Sequence, residues 1–213
     1  MKIMTRSAFG KLQFASTNVY QHLNDQLIIV VRSWGSSEYN QKLVDEVTHY
    51  LSTTQADIEV TTPFDYQESL SSLANRTRVA MLLAHDLFYK TDNKSEYVVG
   101  FESLVLFKSK TEVAWSSVGR FSVAKVMDGN LNYLTRCGTD LDAETLLPAE
   151  LMGLEKEISV HSGSFAFTPG TQIVVASTFN CELAIGDTSS ISSLVEVNSG
   201  ETGAYWVSVV TEG

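Results

Sequence analysis

Apolar positions along the chain change period twice, and the changes predict the layout. Leu27-Ile28-Ile29-Val30-Val31 is a continuous apolar run, as expected of a strand buried on both faces. Residues 12–20 and 26–31 are predicted as strands. A helix opens at Ser37-Glu38, where Leu43, Val44, Val47, Tyr50 and Leu51 fall at helical spacing and make one apolar face. Pro63 breaks the following loop, and a second helix is predicted over 66–89, with Leu70, Leu73, Ala80, Leu83, Ala84 and Leu87 on one stripe. After Asp92-Asn93 the period shortens to two, which predicts strands at 97–107, 111–117, 120–127 and 131–135. Asp128-Gly129-Asn130 is a hairpin turn of the kind that favours positive φ. Further strands are predicted at 155–161, 164–167 and 172–177, with Pro169-Gly170 turning before the last. A short helix over 188–196 and a closing strand at 205–210 complete the order. Two helices followed by an antiparallel meander predict an α+β fold in four α-β-β-α layers, two antiparallel sheets face to face with helices outside.

Length and composition narrow this picture. A chain of 213 residues, 44% hydrophobic, suits one globular domain spanning 1–213. The formal net charge of -10 disfavours nucleic acid and anionic membrane surfaces as partners. No apolar run reaches the roughly 18 residues of a membrane span, and Met1–Arg6 lacks a signal-peptide core, so a soluble cytoplasmic protein is expected. Two cysteines, Cys137 and Cys181, are too few for a disulfide scaffold, and no Cys/His spacing suggests zinc.

The segment from Gly100 to Phe179 changes the question from fold to chemistry. It contains Gly100-Phe101-Glu102-Ser103, Gly119-Arg120-Phe121-Ser122, the run LLPAELMGLE at 146–155, Pro169-Gly170 and Ser177-Thr178-Phe179. The layout resembles the metal-dependent PP2C-type (PPM) Ser/Thr phosphatases, including the bacterial SpoIIE-like branch, along nearly the whole chain. That family places metal-binding carboxylates at fixed points. A first, in a motif like Gly-x-Arg-x-x-Asn-Glu-Asp, falls on Ala15-Ser16-Thr17 when counted from Gly10. A second, directly after the apolar strand, falls on Arg32-Ser33-Trp34-Gly35-Ser36. The Gly-Asp-Ser turn has become Gly119-Arg120, the Ser-Asp-Gly turn has become Ser177-Thr178-Phe179, and the last falls near Glu201.

The resemblance therefore implies a PP2C scaffold with at most one family carboxylate, and a single carboxylate cannot hold a pair of hard divalent cations. The expectation is a catalytically inactive domain, a pseudophosphatase without metal cofactor, that serves signalling by binding a protein partner: a phosphoprotein, or a kinase or phosphatase of the same pathway. Its degenerate cleft would be lined by Thr17, Arg32, Ser33, Trp34, Arg120 and Thr178. Arg32 and Arg120 at metal positions would exchange one cationic charge for another and bind phosphate without hydrolysing it. Alternatively each arginine pairs with a nearby carboxylate or points to solvent. Trp34 either fills the emptied cleft or anchors a partner. The competing expectation is a divergent metal-dependent Ser/Thr phosphatase using Mg²⁺ or Mn²⁺ through an unusual ligand set. A structural assembly subunit is a third.

Other candidates are weaker. His22, His49, His85 and His161 have no metal-ligand spacing and are expected to be satisfied structural histidines. Asp140 and Asp142 form a DxD that could bind a cation or simply be solvated. Thr5 or Ser7 could act as an N-terminal nucleophile only after processing.

Overall fold

The computed structural model describes residues 1–9, 16–56, 62–136, 150–186 and 193–211. Residues 12–15 of the first predicted strand, the DxD at Asp140 and Asp142, Cys137 and most of the predicted helix at 188–196 lie outside them. The described chain forms ten strands and two α-helices: β1 (Lys2–Phe9), β2 (Thr17–His22), β3 (Leu27–Gly35), α1 (Asn40–Ala56), α2 (Ser72–Leu87), β4 (Val99–Lys108), β5 (Glu112–Val118), β6 (Ser122–Met127), β7 (Asn130–Thr135), β8 (His161–Ala166), β9 (Gln172–Ile185) and β10 (Val195–Thr211). They make two five-stranded antiparallel sheets, in the orders β1-β10-β9-β6-β7 and β2-β3-β4-β5-β8. No helix among the described residues is long and apolar enough to cross a membrane.

The chain divides into two compact units. One comprises Met1–Phe14, Arg120–Leu147 and Thr168–Gly213 and holds the first sheet. The other comprises Ala15–Gly119 and Pro148–Phe167 and holds the second sheet with both helices. In this second unit the alternation of the strands sorts the side chains. Leu27, Ile29 and Val31 of β3, with Val99, Phe101, Val105 and Phe107 of β4, join Leu43, Val44, Val47 and Leu51 of α1 and Val79, Ala80 and Ala84 of α2 in one buried cluster. The even-numbered residues Ile28, Val30, Leu104 and Leu106 point to the opposite face and are also fully buried. That double burial is what the unbroken run of β3 predicts.

Several boundaries differ from the sequence expectation. The second helix begins at Ser72, because the Ser71 hydroxyl caps it by accepting from the Ala74 N–H (3.1 Å). The stretch before it is a loop held by Asn75, whose amide accepts from the Gln67 N–H (2.8 Å) and donates to the Gln67 carbonyl (2.9 Å). Helix α2 widens into a five-residue π-helical turn, Phe88–Asp92. The expected strand at 155–161 is irregular until His161. Val195 and Glu196, expected in a helix, start β10 and pair with Ile185 and Ala184 of β9.

Candidate functional site

Three neighbouring strands place a charged row inside the second unit. Thr17, Arg32 and Glu102 lie directly opposite one another on β2, β3 and β4. Residues in register across an antiparallel sheet put their side chains on the same face, so the three meet without any loop to position them. The Arg32 guanidinium donates from Nε to Thr17 Oγ1 (3.0 Å) and from Nη1 to Glu102 Oε2 (3.3 Å). Trp34, two residues along β3 and so on the same face, donates its Nε1–H to the same Glu102 oxygen (3.0 Å). Arg32 is 1% exposed and Glu102 is fully buried. A buried carboxylate held by a guanidinium and an indole N–H has the partners that a charge out of water requires.

Glu102 occupies a junction. Strand β4 pairs with β5 from Ser103 onward, where Ser103 faces Val118. There β5 ends, and at Phe101 the neighbour is Met152, joined by reciprocal backbone hydrogen bonds of 3.1 and 2.9 Å. The turn residue Gly119 has φ of +88°, and a Cβ there would come within 2.5 Å of Glu102 Cγ. The close approach of backbone to the carboxylate stem requires glycine at this point.

The expected cleft residues divide accordingly. The structure brings Thr17, Arg32 and Trp34 together. Ser33 is buried but faces the other side of β3, opposite Phe101. Arg120 and Thr178 belong to the first unit, Arg120 in the turn before β6 and Thr178 half-buried on β9, paired with Tyr205. The side chain of Glu201 lies outside the described residues. Glu102, the acidic partner in the row, is not among the residues expected to line the cleft. Its signal is a lone charge in the apolar run Val98–Phe107, which has to be paired if the strand is buried.

No family model matches the chain, and no curated protein matches it. Solved structures do match in fold. A serine/threonine phosphatase, PstP/Ppp of Mycobacterium tuberculosis, superposes over 100% of this chain and 99% of its own with a TM-score of 0.58 at 12% identity. The PPM Ser-Thr phosphatase MsPP of Mycobacterium smegmatis, solved with cacodylate, covers the same shares with a TM-score of 0.59 at 10% identity. The chain has the PP2C (PPM) phosphatase fold. A PstP catalytic domain in complex with two manganese ions also matches, over 99% of this chain and 98% of its own, with a TM-score of 0.53 at 12% identity.

These matches correct the expectation that the chain is not an enzyme. The three structures named above, which it matches along their length, are Ser/Thr phosphatases. Counting carboxylates at family motif positions does not establish inactivity, because at such identities a carboxylate can come from elsewhere on the scaffold. Glu102 is a buried carboxylate that such a count misses. The two-metal chemistry of the matched PstP domain still needs several oxygen donors around each cation. Among the described residues no group of three or more His, Cys, Asp or Glu could hold a metal ion, and Glu102 already receives Arg32 and Trp34. The described residues therefore do not fit a metal pair.

Proposed function

We propose that this PP2C-fold chain acts on phosphorylated proteins, engaging a Ser/Thr-phosphorylated segment of a protein partner as a regulatory binding domain. The observation that carries this reading is the match in fold over the whole chain to Ser/Thr phosphatases. An arginine at the surface of such a fold supplies the charge-assisted, bidentate hydrogen bonds a phosphate monoester requires. Arg120, half-buried in the turn before β6, is the more exposed of the two arginines of the expected cleft, since Arg32 is buried against Glu102. The partner is a phosphoprotein, or a kinase or phosphatase of the same pathway.

A second reading, a divergent metal-dependent Ser/Thr phosphatase with an unusual ligand set, is favoured by the two manganese ions of the matched PstP domain. One experiment separates the two. The purified chain is titrated with a panel of phosphoserine and phosphothreonine peptides and their unphosphorylated counterparts, with and without Mn²⁺, while phosphate release is followed. Phosphate-dependent binding weakened about tenfold by Arg120→Ala, without Mn²⁺-dependent release, supports the binding domain. Mn²⁺-dependent release supports the phosphatase. Neither binding nor release overturns both.

A further inference from the structure

Residues 150–158 cross the second unit as an irregular strap, and one buried histidine fastens it. Met152 pairs with Phe101 as described, and Asn93 Nδ2 donates to the Gly153 carbonyl (2.8 Å). Gly153 itself has φ of +84°, and a Cβ there would meet Phe88 Cβ at 2.8 Å, so the strap lies directly on the end of α2. Its third fastening is the Gly153 N–H, which donates to Nδ1 of His85 (3.0 Å). His85 is 3% exposed and stacks on Tyr89, with ring centroids 5.9 Å apart. An Nδ1 that accepts a hydrogen bond carries no proton, so the neutral ring keeps its proton on Nε2. That nitrogen is buried and makes no hydrogen bond of normal geometry. The histidine expected to be satisfied is thus well bonded at Nδ1 and only weakly engaged, by the Lys156 backbone, on its other side.

We propose that His85 is a pH-sensitive latch: the neutral imidazole holds the strap at Gly153, and protonation releases it. Protonation puts a hydrogen on Nδ1 pointing at the Gly153 N–H, so an acceptor becomes a second donor and the bond is replaced by repulsion. Release would free the edge of β4 at Phe101, one residue from Glu102 and its hydrogen bonds to Arg32 and Trp34.

The electrostatic surroundings act in the same direction. Burial is the largest influence and pushes His85 below the ordinary histidine range; Asp86 and the Lys156 backbone pull it up, and Lys90 pushes it further down. Asp86 and Lys90 belong to α2 and the π-helical turn, and Lys156 to the strap. Linkage fixes the sign. The open state binds the proton more tightly than the docked state, so docking is at full strength above about pH 6.5 and is lost as pH falls through the lowered docked-state value.

The test is hydrogen exchange of the full chain at pH 7.5 and 5.5, corrected for intrinsic rates. Protection of the Phe101, Met152 and Gly153 amides should fall by up to about tenfold relative to Ile28–Val31, the factor by which a released histidine is protonated one unit below its usual value. His85→Asn, which keeps an acceptor near the Nδ1 position and does not titrate, should hold that protection constant. Unchanged protection in the wild-type chain, or an equal fall in His85→Asn, overturns the latch. Should the variant not fold, a ring titration of wild-type His85 by NMR tests the latch independently. The imidazole and the Gly153 amide should share one midpoint, and two separate midpoints overturn the proposal.

Discussion

Two buried polar centres of the same unit handle charge in opposite ways. Around Glu102 a full negative charge sits with a full positive one, fixed by strand register and by an additional indole N–H. Around His85 a neutral ring holds a backbone N–H with one nitrogen, and the other makes no hydrogen bond of normal geometry, with the Lys156 backbone nearby. In the first centre each member is buried against the other, so removing either would strand its partner's charge. The second differs from its alternative by one proton on an imidazole that burial pushes below the ordinary histidine range. Burial alone therefore does not make a polar group rigid or responsive. What decides is whether its partner is a charge or a dipole.

Removing one member of the charged row should break the comparison most severely. Glu102→Ala leaves the Arg32 guanidinium buried and should cost about 3–5 kcal/mol in urea unfolding. Replacing both Arg32 and Glu102 with methionine should recover most of that loss, since no buried charge then remains; failure to recover would show that the pair is needed for more than neutrality. Gly119→Ala should come next, at about 2–3 kcal/mol, since it forces a side chain into a left-handed conformation against Glu102. Crystallography of that variant should show the Glu102 side chain displaced. At the other extreme, Lys90→Ala removes the exposed i,i+4 pair with Asp86 and should change stability by less than about 0.5 kcal/mol. It should nevertheless raise the midpoint of the His85 titration slightly, since Lys90 opposes protonation there. A shift the other way would contradict the electrostatic account of the latch.

Much of the fold is readable from apolar spacing, and the misses have physical causes. Strand β3 and strands β4 to β6 are legible because burial on one or both faces dictates their pattern, and the largely exposed β7 follows from the Asp128-Gly129-Asn130 turn before it. Strand β1 is not among the expected strands: Lys2–Phe9 is an edge strand whose apolar residues, Ile3-Met4 and Ala8-Phe9, come in adjacent pairs and do not alternate, and its ladder with β10 supplies what that pattern lacks. Residues 188–196 read as a helix because Ile191, Leu194 and Val195 fall at helical spacing, but Val195 and Val197 belong to the alternation of β10. The candidate site is legible on one side only. Thr17, Arg32 and Trp34 stand out beside a recognisable apolar strand, whereas Glu102 becomes meaningful once β4 is known to lie next to β3 in that register. Pairing across strands is tertiary information that no local window contains.

The ladder between β1 and β10 also sets an order of events in the making of this protein. Thr5 and Ser208, whose hydroxyls meet at 3.2 Å, are 203 positions apart. At the usual 5–20 residues per second, a ribosome takes roughly 10–40 s to deliver the second after the first. The second unit ends at Phe167, so its sheet and both helices can close while the chain is still growing. Strand β1 must meanwhile wait for β10 before their ladder can form.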